Sequence, residues 1–114
     1  AAITFDCANA LRVAEFWAAA VGRPVDREGE MAASEFFARI PGEGGDPLMM
    51  FIKVPETKTV KNRVHLDMQA ADRAAEVERL VGLGATVLHD KNEYGMQWTT
   101  LADPEGNEFC VASH

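Results

Sequence analysis

The sequence predicts an α+β protein, a single domain over residues 1–114 built from two copies of one β-α-β-β-β module. Three observations predict it. A strand-like run and the helix pattern after it occur twice: Ile3-Thr-Phe-Asp-Cys-Ala-Asn9 lies over Val64-His-Leu-Asp-Met-Gln-Ala70. That overlay sets Asp6 on Asp67, Glu15 on Glu76 and Thr4 on His65, and both copies close on a hydrophobic-Gly pair, Val21-Gly22 and Leu83-Gly84. A repeat of about half the chain points to a duplicated unit. In each copy, one helical pattern is followed by three short β-rich runs. Hairpin-type turns join those runs, which favours mixed sheets over a parallel β-α-β protein.

The elements follow in order. Ala2 to Cys7 is the opening strand, and Asn9 is placed to cap the helix after it. Leu11, Ala14, Trp17, Ala18 and Val21 recur at helical spacing, with Trp17 read as packing. Gly22 and then Pro24 end that helix. Pro24 to Glu28 reads as a short polar strand, Gly29-Glu30 as a turn, and Ala33 to Ile40 as a strand. Pro41 to Pro47 is a loop dense in turn residues, and Leu48 to Val54 is an apolar strand. This first module covers about residues 1–54, and residues 55–62 form a linker. Lys53, Lys58, Lys61 and Arg63 cluster around that linker. A solvated connector is the favoured reading of them, ahead of an anion site.

The second module, residues 63–114, repeats the order. Arg63 to Met68 is a strand and Asp72 to Leu83 a helix. Ala74, Val77, Leu80 and Val81 are expected to face inward, and Arg73, Glu76, Glu78 and Arg79 to face water. Ala85 to His89 is a strand, Asp90 to Gly95 a polar loop, and Met96 to Ala102 a strand. Asp103-Pro-Glu-Gly-Asn107 is a tight turn, with Gly106 free to take a positive φ. Glu108 to Ala112 is the last strand.

Composition excludes several function classes. A net charge of −7 argues against nucleic acid and anionic membranes, which both ask for a basic face. No apolar run approaches the ~20 residues needed to span a bilayer. The sequence does not open on a charged-then-apolar run, so no secretory leader is expected. The two cysteines, Cys7 and Cys110, lack metal-type spacing and read as free thiols. A cytoplasmic location is therefore expected.

Four stretches then carry a family resemblance: Phe16-Trp17, Lys61-Asn-Arg-Val-His-Leu-Asp67, Leu80-Val-Gly-Leu-Gly-Ala85 and Leu101-Ala-Asp-Pro-Glu-Gly-Asn-Glu-Phe109. Together they resemble the glyoxalase-like domain of the vicinal oxygen chelate superfamily, which also holds glyoxalase I, extradiol dioxygenases and bleomycin- and fosfomycin-resistance proteins. The resemblance covers essentially the whole chain. It implies two βαβββ modules forming a cupped mixed β-sheet barrel, with a metal, substrate or drug held in the cup. It also implies a homodimer.

Metal-using members of that superfamily draw ligands from the first and last strand of each module. The resemblance sets His65 at one such position, with Thr4 as its counterpart in the first module. Cys110 stands where a glutamate is usual, and its counterpart, most nearly Met50, is apolar. One normal ligand of four makes a catalytic metal an unfavoured expectation, with His65 the residue to hold any divalent ion. Asp67 lies on the same face as His65 by alternation, but its repeat at Asp6 favours a structural role at the strand-to-helix turn. Cys110 reads as a buried thiol, since nothing basic adjoins it in sequence. Trp98, Phe37, Phe51 and Met50 would make an apolar, adaptable wall, and they are also natural core residues. The expected ligand-binding set is therefore His65, Trp98, Phe37, Met50, Phe51, Cys110 and Thr4. The expected function is metal-independent binding of a small molecule. The alternative is a metal-dependent lyase, isomerase or dioxygenase using His65.

Overall fold

The structure, a computed structural model, describes residues 1–29 and 32–113. The chain divides into two compact units, Ala1–Thr57 and a second that starts at Lys58.

In the first unit, β1 (Ala2–Cys7) leads into α1 (Ala10–Val21), followed by β2 (Phe37–Ile40) and β3 (Leu48–Lys53). The sheet order is β1-β3-β2, with β1 parallel and β2 antiparallel to β3. The Asn9 side chain accepts from the Arg12 amide at 3.1 Å, and Gly22 ends α1 in the left-handed region at φ 72°. Ala10, Val13, Ala14, Phe16, Trp17 and Ala20 are the buried stripe of α1. Leu11, Ala18 and Val21, expected within that stripe, are half-buried on its flanks. Trp17 packs on Phe5 and Phe16, with ring centroids 5.5 and 5.3 Å apart. Arg23 is buried and ties down the β2–β3 loop: its Nη1 donates to the Pro41 and Pro47 carbonyls at 2.9 and 3.1 Å.

Two expectations fail here. Pro24–Glu28 is not a strand, although the Asp26 amide reaches the Arg39 carbonyl at 2.9 Å. The Asp26 carboxylate accepts from the Glu28 amide, a local bond that competes with a ladder. The strand expected from Ala33 begins only at Phe37, because Ser34 makes its own turn, its hydroxyl accepting from the Phe36 amide. The described first unit is thus βαββ rather than βαβββ. The turn expected at Gly29-Glu30 falls partly outside the described residues.

The second unit runs β4 (Asp67–Ala70), α2 (Arg73–Leu83), β5 (Thr86–Glu93), β6 (Met96–Ala102) and β7 (Glu108–Ser113). Its order is β4-β7-β6-β5, with β4 parallel to β7 and the other pairs antiparallel. Asp72 caps α2, accepting from the Ala75 amide at 3.1 Å. Asp103 organises the β6–β7 turn: its carboxylate accepts from the amides of Glu105 and Asn107 at 2.8 and 2.9 Å. The core here is Leu80, Leu101, Phe109 and Val111.

The strand expected from Arg63 starts at Asp67. The polar loop expected over Asp90–Gly95 is mostly strand. β5 continues to Glu93 and turns through Tyr94 and Gly95, both at positive φ (55° and 74°). A two-residue turn of that hand matches strand twist. β5 is exposed along its whole length, so polar residues populate it without marking a loop. On α2 only Leu80 is fully buried; Val77 is half-buried, and Ala74 and Val81 are exposed. Arg73, expected in water, donates to Thr99 Oγ1 at 2.7 Å.

Candidate functional site

Strand alternation and register sort each sheet into a helix-covered face and an open face. In the first unit, Phe51 pairs with Phe5 and Ala38, and its ring stacks on Phe5 at 5.0 Å. Phe5 meets Trp17, so this face belongs to α1. The opposite face carries Thr4, Met50 and Arg39 in one row, and Asp6, Ile52 and Phe37 in the next. Thr4, Met50 and Phe37 therefore share an open face. Phe51 does not: it is fully buried core, and its assignment to a ligand wall is corrected. The sequence run Met49-Met50-Phe51-Ile52 is apolar on both parities, so its composition did not separate the faces.

In the second unit, Arg73 of α2 reaches Thr99, Gln97 and Asp90, which marks their face as the helix side. The open face holds the row Asp67–Cys110–Thr100–His89, and beside it the row Gln69–Ala112–Trp98–Lys91. Trp98 is half-buried on that face. His65 precedes β4 by two residues, outside the strand. Its Nε2 lies 3.6 Å from Asp67 Oδ1. One donor atom each from His65, Asp67 and Cys110 lie within 4.8 Å of one another. Cys110 is buried, while His65 and Asp67 are exposed. The Thr100 hydroxyl stands 3.5 Å from Cys110 Sγ.

This cluster revises the expected ligand set. Asp67 has no capping role at the strand-to-helix turn, where Asp72 does that work. It sits instead beside His65. The overlay of Thr4 on His65 is also off by two residues. Counting back from the two helix caps, Thr4 stands five residues before Asn9, as Asp67 stands five before Asp72. The ladders agree, with Thr4 opposite Met50 and Asp67 opposite Cys110. The counterpart of His65 is then Ala2, seven residues before its cap. The look-alike carboxylates Asp6 and Asp67 set the sequence overlay, whereas the caps set the structural one. Counting from Asn9 and Asp72 was the signal that would have found this.

Glu108 lies on the same strand as Cys110 but is engaged elsewhere. Its carboxylate takes the Asn62 amide at 3.1 Å and the Lys58 ammonium at 3.1 Å. Burial pushes its pKa up, but the Asn62 amide and the Lys58 ammonium outweigh that and hold it below the ordinary value. Lys53 pairs with Glu35 at 3.6 Å and lies over the Phe36 ring. Two of the four basic residues around the linker are thus engaged with acidic partners.

A divalent metal, which the resemblance implies, can be tested against these donors. In a tetrahedral site with bonds of about 2.0–2.3 Å, donor atoms stand about 3.3–3.8 Å apart. The His65–Asp67 pair already meets that spacing, and the outer limit of 4.8 Å is a side-chain adjustment away. The donor set of imidazole, carboxylate and thiol fits a divalent ion.

The model of the glyoxalase-like domain family matches residues 2–112. Comparison with characterised protein sequences finds no match. Solved structures share the fold at low identity. A hypothetical protein, SA1046 from S. aureus, superposes with a TM-score of 0.76 at 15% identity, covering 100% of this chain and 92% of that one. A glyoxalase/bleomycin resistance protein/dioxygenase family enzyme from Burkholderia phytofirmans gives 0.75 at 16%, covering 98% and 95%. The fosfomycin resistance protein FosX from Mesorhizobium loti gives 0.70 at 12%, covering 100% and 90%.

Proposed function

Because the chain belongs to the glyoxalase-like domain family, we propose that it binds a small organic molecule on the open face of its second sheet. One observation carries this reading. That face sets a half-buried indole, Trp98, in a row next to the polar row Asp67–Cys110–Thr100, with His65 beside Asp67 on the side away from Trp98. An aromatic wall with a few convergent polar groups is what a small-molecule site needs. The open face of the first sheet carries Thr4, Met50 and Phe37 and is a separate surface of similar make-up, where a ligand contact is also proposed. Binding of this kind does not depend on a metal. The test is Trp98 emission on titration with fosfomycin, bleomycin and a panel of aromatic metabolites, beside Trp98→Phe, whose emission is that of Trp17 alone and is subtracted. Read by calorimetry, which needs no indole, Trp98→Ala should weaken a responding ligand about tenfold, ~1.4 kcal/mol. A panel with no saturable response, or a ligand indifferent to Trp98, sinks the proposal.

A second reading is a metal-dependent lyase, isomerase or dioxygenase acting through His65. The approach of Asp67 and Cys110 to His65 favours it. We also propose a homodimer, supported by the exposed Val81, Leu83, Val87, Leu88 and Met96 of the second unit. Leu88→Lys should shift sedimentation towards the monomer. The burial of both cysteines, Cys7 and Cys110, supports a reducing compartment, the cytoplasm. No helix among the described residues is long and apolar enough to cross a membrane.

A further inference from the structure

We infer that His65, Asp67 and Cys110 form a thiophilic metal site, selective for zinc-type ions and held wholly within the second unit. This deepens the metal-dependent reading and rests on it for any reaction, but metal binding itself requires no turnover. It departs from the set the resemblance implied. Asp67 lies off the positions named there, and no donor comes from the first unit. At the equivalent first-unit positions stand Ala2, Thr4 and Met50.

Three arguments support it. The donors converge: a single nitrogen of His65 lies within 4.8 Å of both the Asp67 carboxylate and the Cys110 sulfur. A nucleophilic relay would instead use the two ring nitrogens separately, one towards the thiol and one towards the carboxylate. The donors are also softer than a carboxylate set. A thiolate with an imidazole favours zinc, cadmium or copper(I), whereas manganese and magnesium prefer oxygen. Finally, the scaffold holds two of the donors in place. Cys110 and Asp67 are ladder partners on adjacent parallel strands, and the Cys110 amide donates to the Leu66 carbonyl at 2.9 Å. The Thr100 hydroxyl beside Cys110 is a positioning group for the sulfur. Binding displaces the thiol proton to solvent, leaving sulfur as the anionic ligand. Three protein donors, two of them exposed, leave a coordination position open to water or a small ligand.

The experiment is metal titration of the full chain, stripped with chelator, against zinc, cobalt, manganese and magnesium. Expected are one zinc per chain, and a cobalt complex showing thiolate-to-metal charge transfer. Cys110→Ser should abolish the charge-transfer band, and Cys7→Ser should leave it intact. His65→Ala and Asp67→Asn change exposed residues and should fold normally by circular dichroism, yet weaken zinc at least about tenfold. Manganese or magnesium bound as tightly as zinc would overturn the inference. So would a cobalt complex without the band, zinc binding indifferent to Asp67→Asn, or no zinc binding. A stoichiometric zinc protein without turnover would keep this site and discard only the enzymatic reading.

Discussion

The helix α1 buries six residues, Trp17 among them, whereas α2 buries only Leu80. The open faces differ in the opposite sense. At matching ladder positions the first sheet sets Thr4 against Met50, and the second sets Asp67 against Cys110. One copy of the duplicated plan has invested in aromatic packing, and the other in polar side chains gathered at one end of a strand pair. Both copies keep the parallel pairing of first and last strand, which brings residues far apart in sequence side by side. The scaffold is common to both, and the chemistry is not.

That contrast can be broken at its strongest point first. Phe51→Ala removes a fully buried ring stacked on Phe5 and should cost about 3–5 kcal/mol in chemical denaturation. Met50→Ala, one residue away on the open face, should cost less than half as much. Equal losses would mean that the two faces of the first sheet are not distinct.

Asp103→Ala should come next, at about 1–2 kcal/mol, because the amides of Glu105 and Asn107 lose their acceptor in a half-buried turn. Asp103→Asn should recover part of that loss. A turn indifferent to both changes would show that Pro104 and Gly106 hold it without Asp103.

The helices give a finer comparison. Leu80→Ala should cost about 2 kcal/mol, while Val81→Ala, beside it but exposed, should stay under about 0.5 kcal/mol. A large loss at Val81 would show that a second copy covers it in solution.

The smallest effect is a pH dependence. The carboxyl of Glu108 is held below its ordinary value in the folded protein. Its contribution is therefore fully present above the unfolded carboxylate range and is lost as pH falls through the folded value. Denaturation midpoints of wild type and Glu108→Gln should differ at neutral pH and converge in acid. A gap that widens in acid would reverse the assigned direction.

Much of this fold was legible in the chain. Asn9, Gly22, Asp72 and Gly84 mark both helices to within a residue, because caps and stops act through local hydrogen bonds and local φ. The strand at Met96–Ala102 and the turn built on Asp103 were legible for the same reason. Where sequence reading failed, a competing interaction was the cause. Side chains of Asp26 and Ser34 diverted strands into turns, and exposure on both faces let β5 carry loop-like polar residues.

The site was legible only in part. Cys110 and Trp98 stand at positions of one face of the second sheet, and His65 lies beside Asp67 of that face. Asp67 stood in view two residues from His65, but its resemblance to Asp6 drew it into a structural role. Phe51 is apolar like Met50, and only pairing with Phe5 places it beneath α1.

The sequence alone determined the two helices, the cap at Asn9, the strand-then-helix start of both copies and the family, since these rest on local propensity and short motifs. Tertiary structure alone decided which side of each sheet is covered, that Thr4 answers to Asp67, and that a thiol 45 residues from a histidine lies beside it. Those depend on the register of β4 against β7 and of β1 against β3. A register shift of one residue turns every side chain to the other face, and local sequence carries little record of that choice.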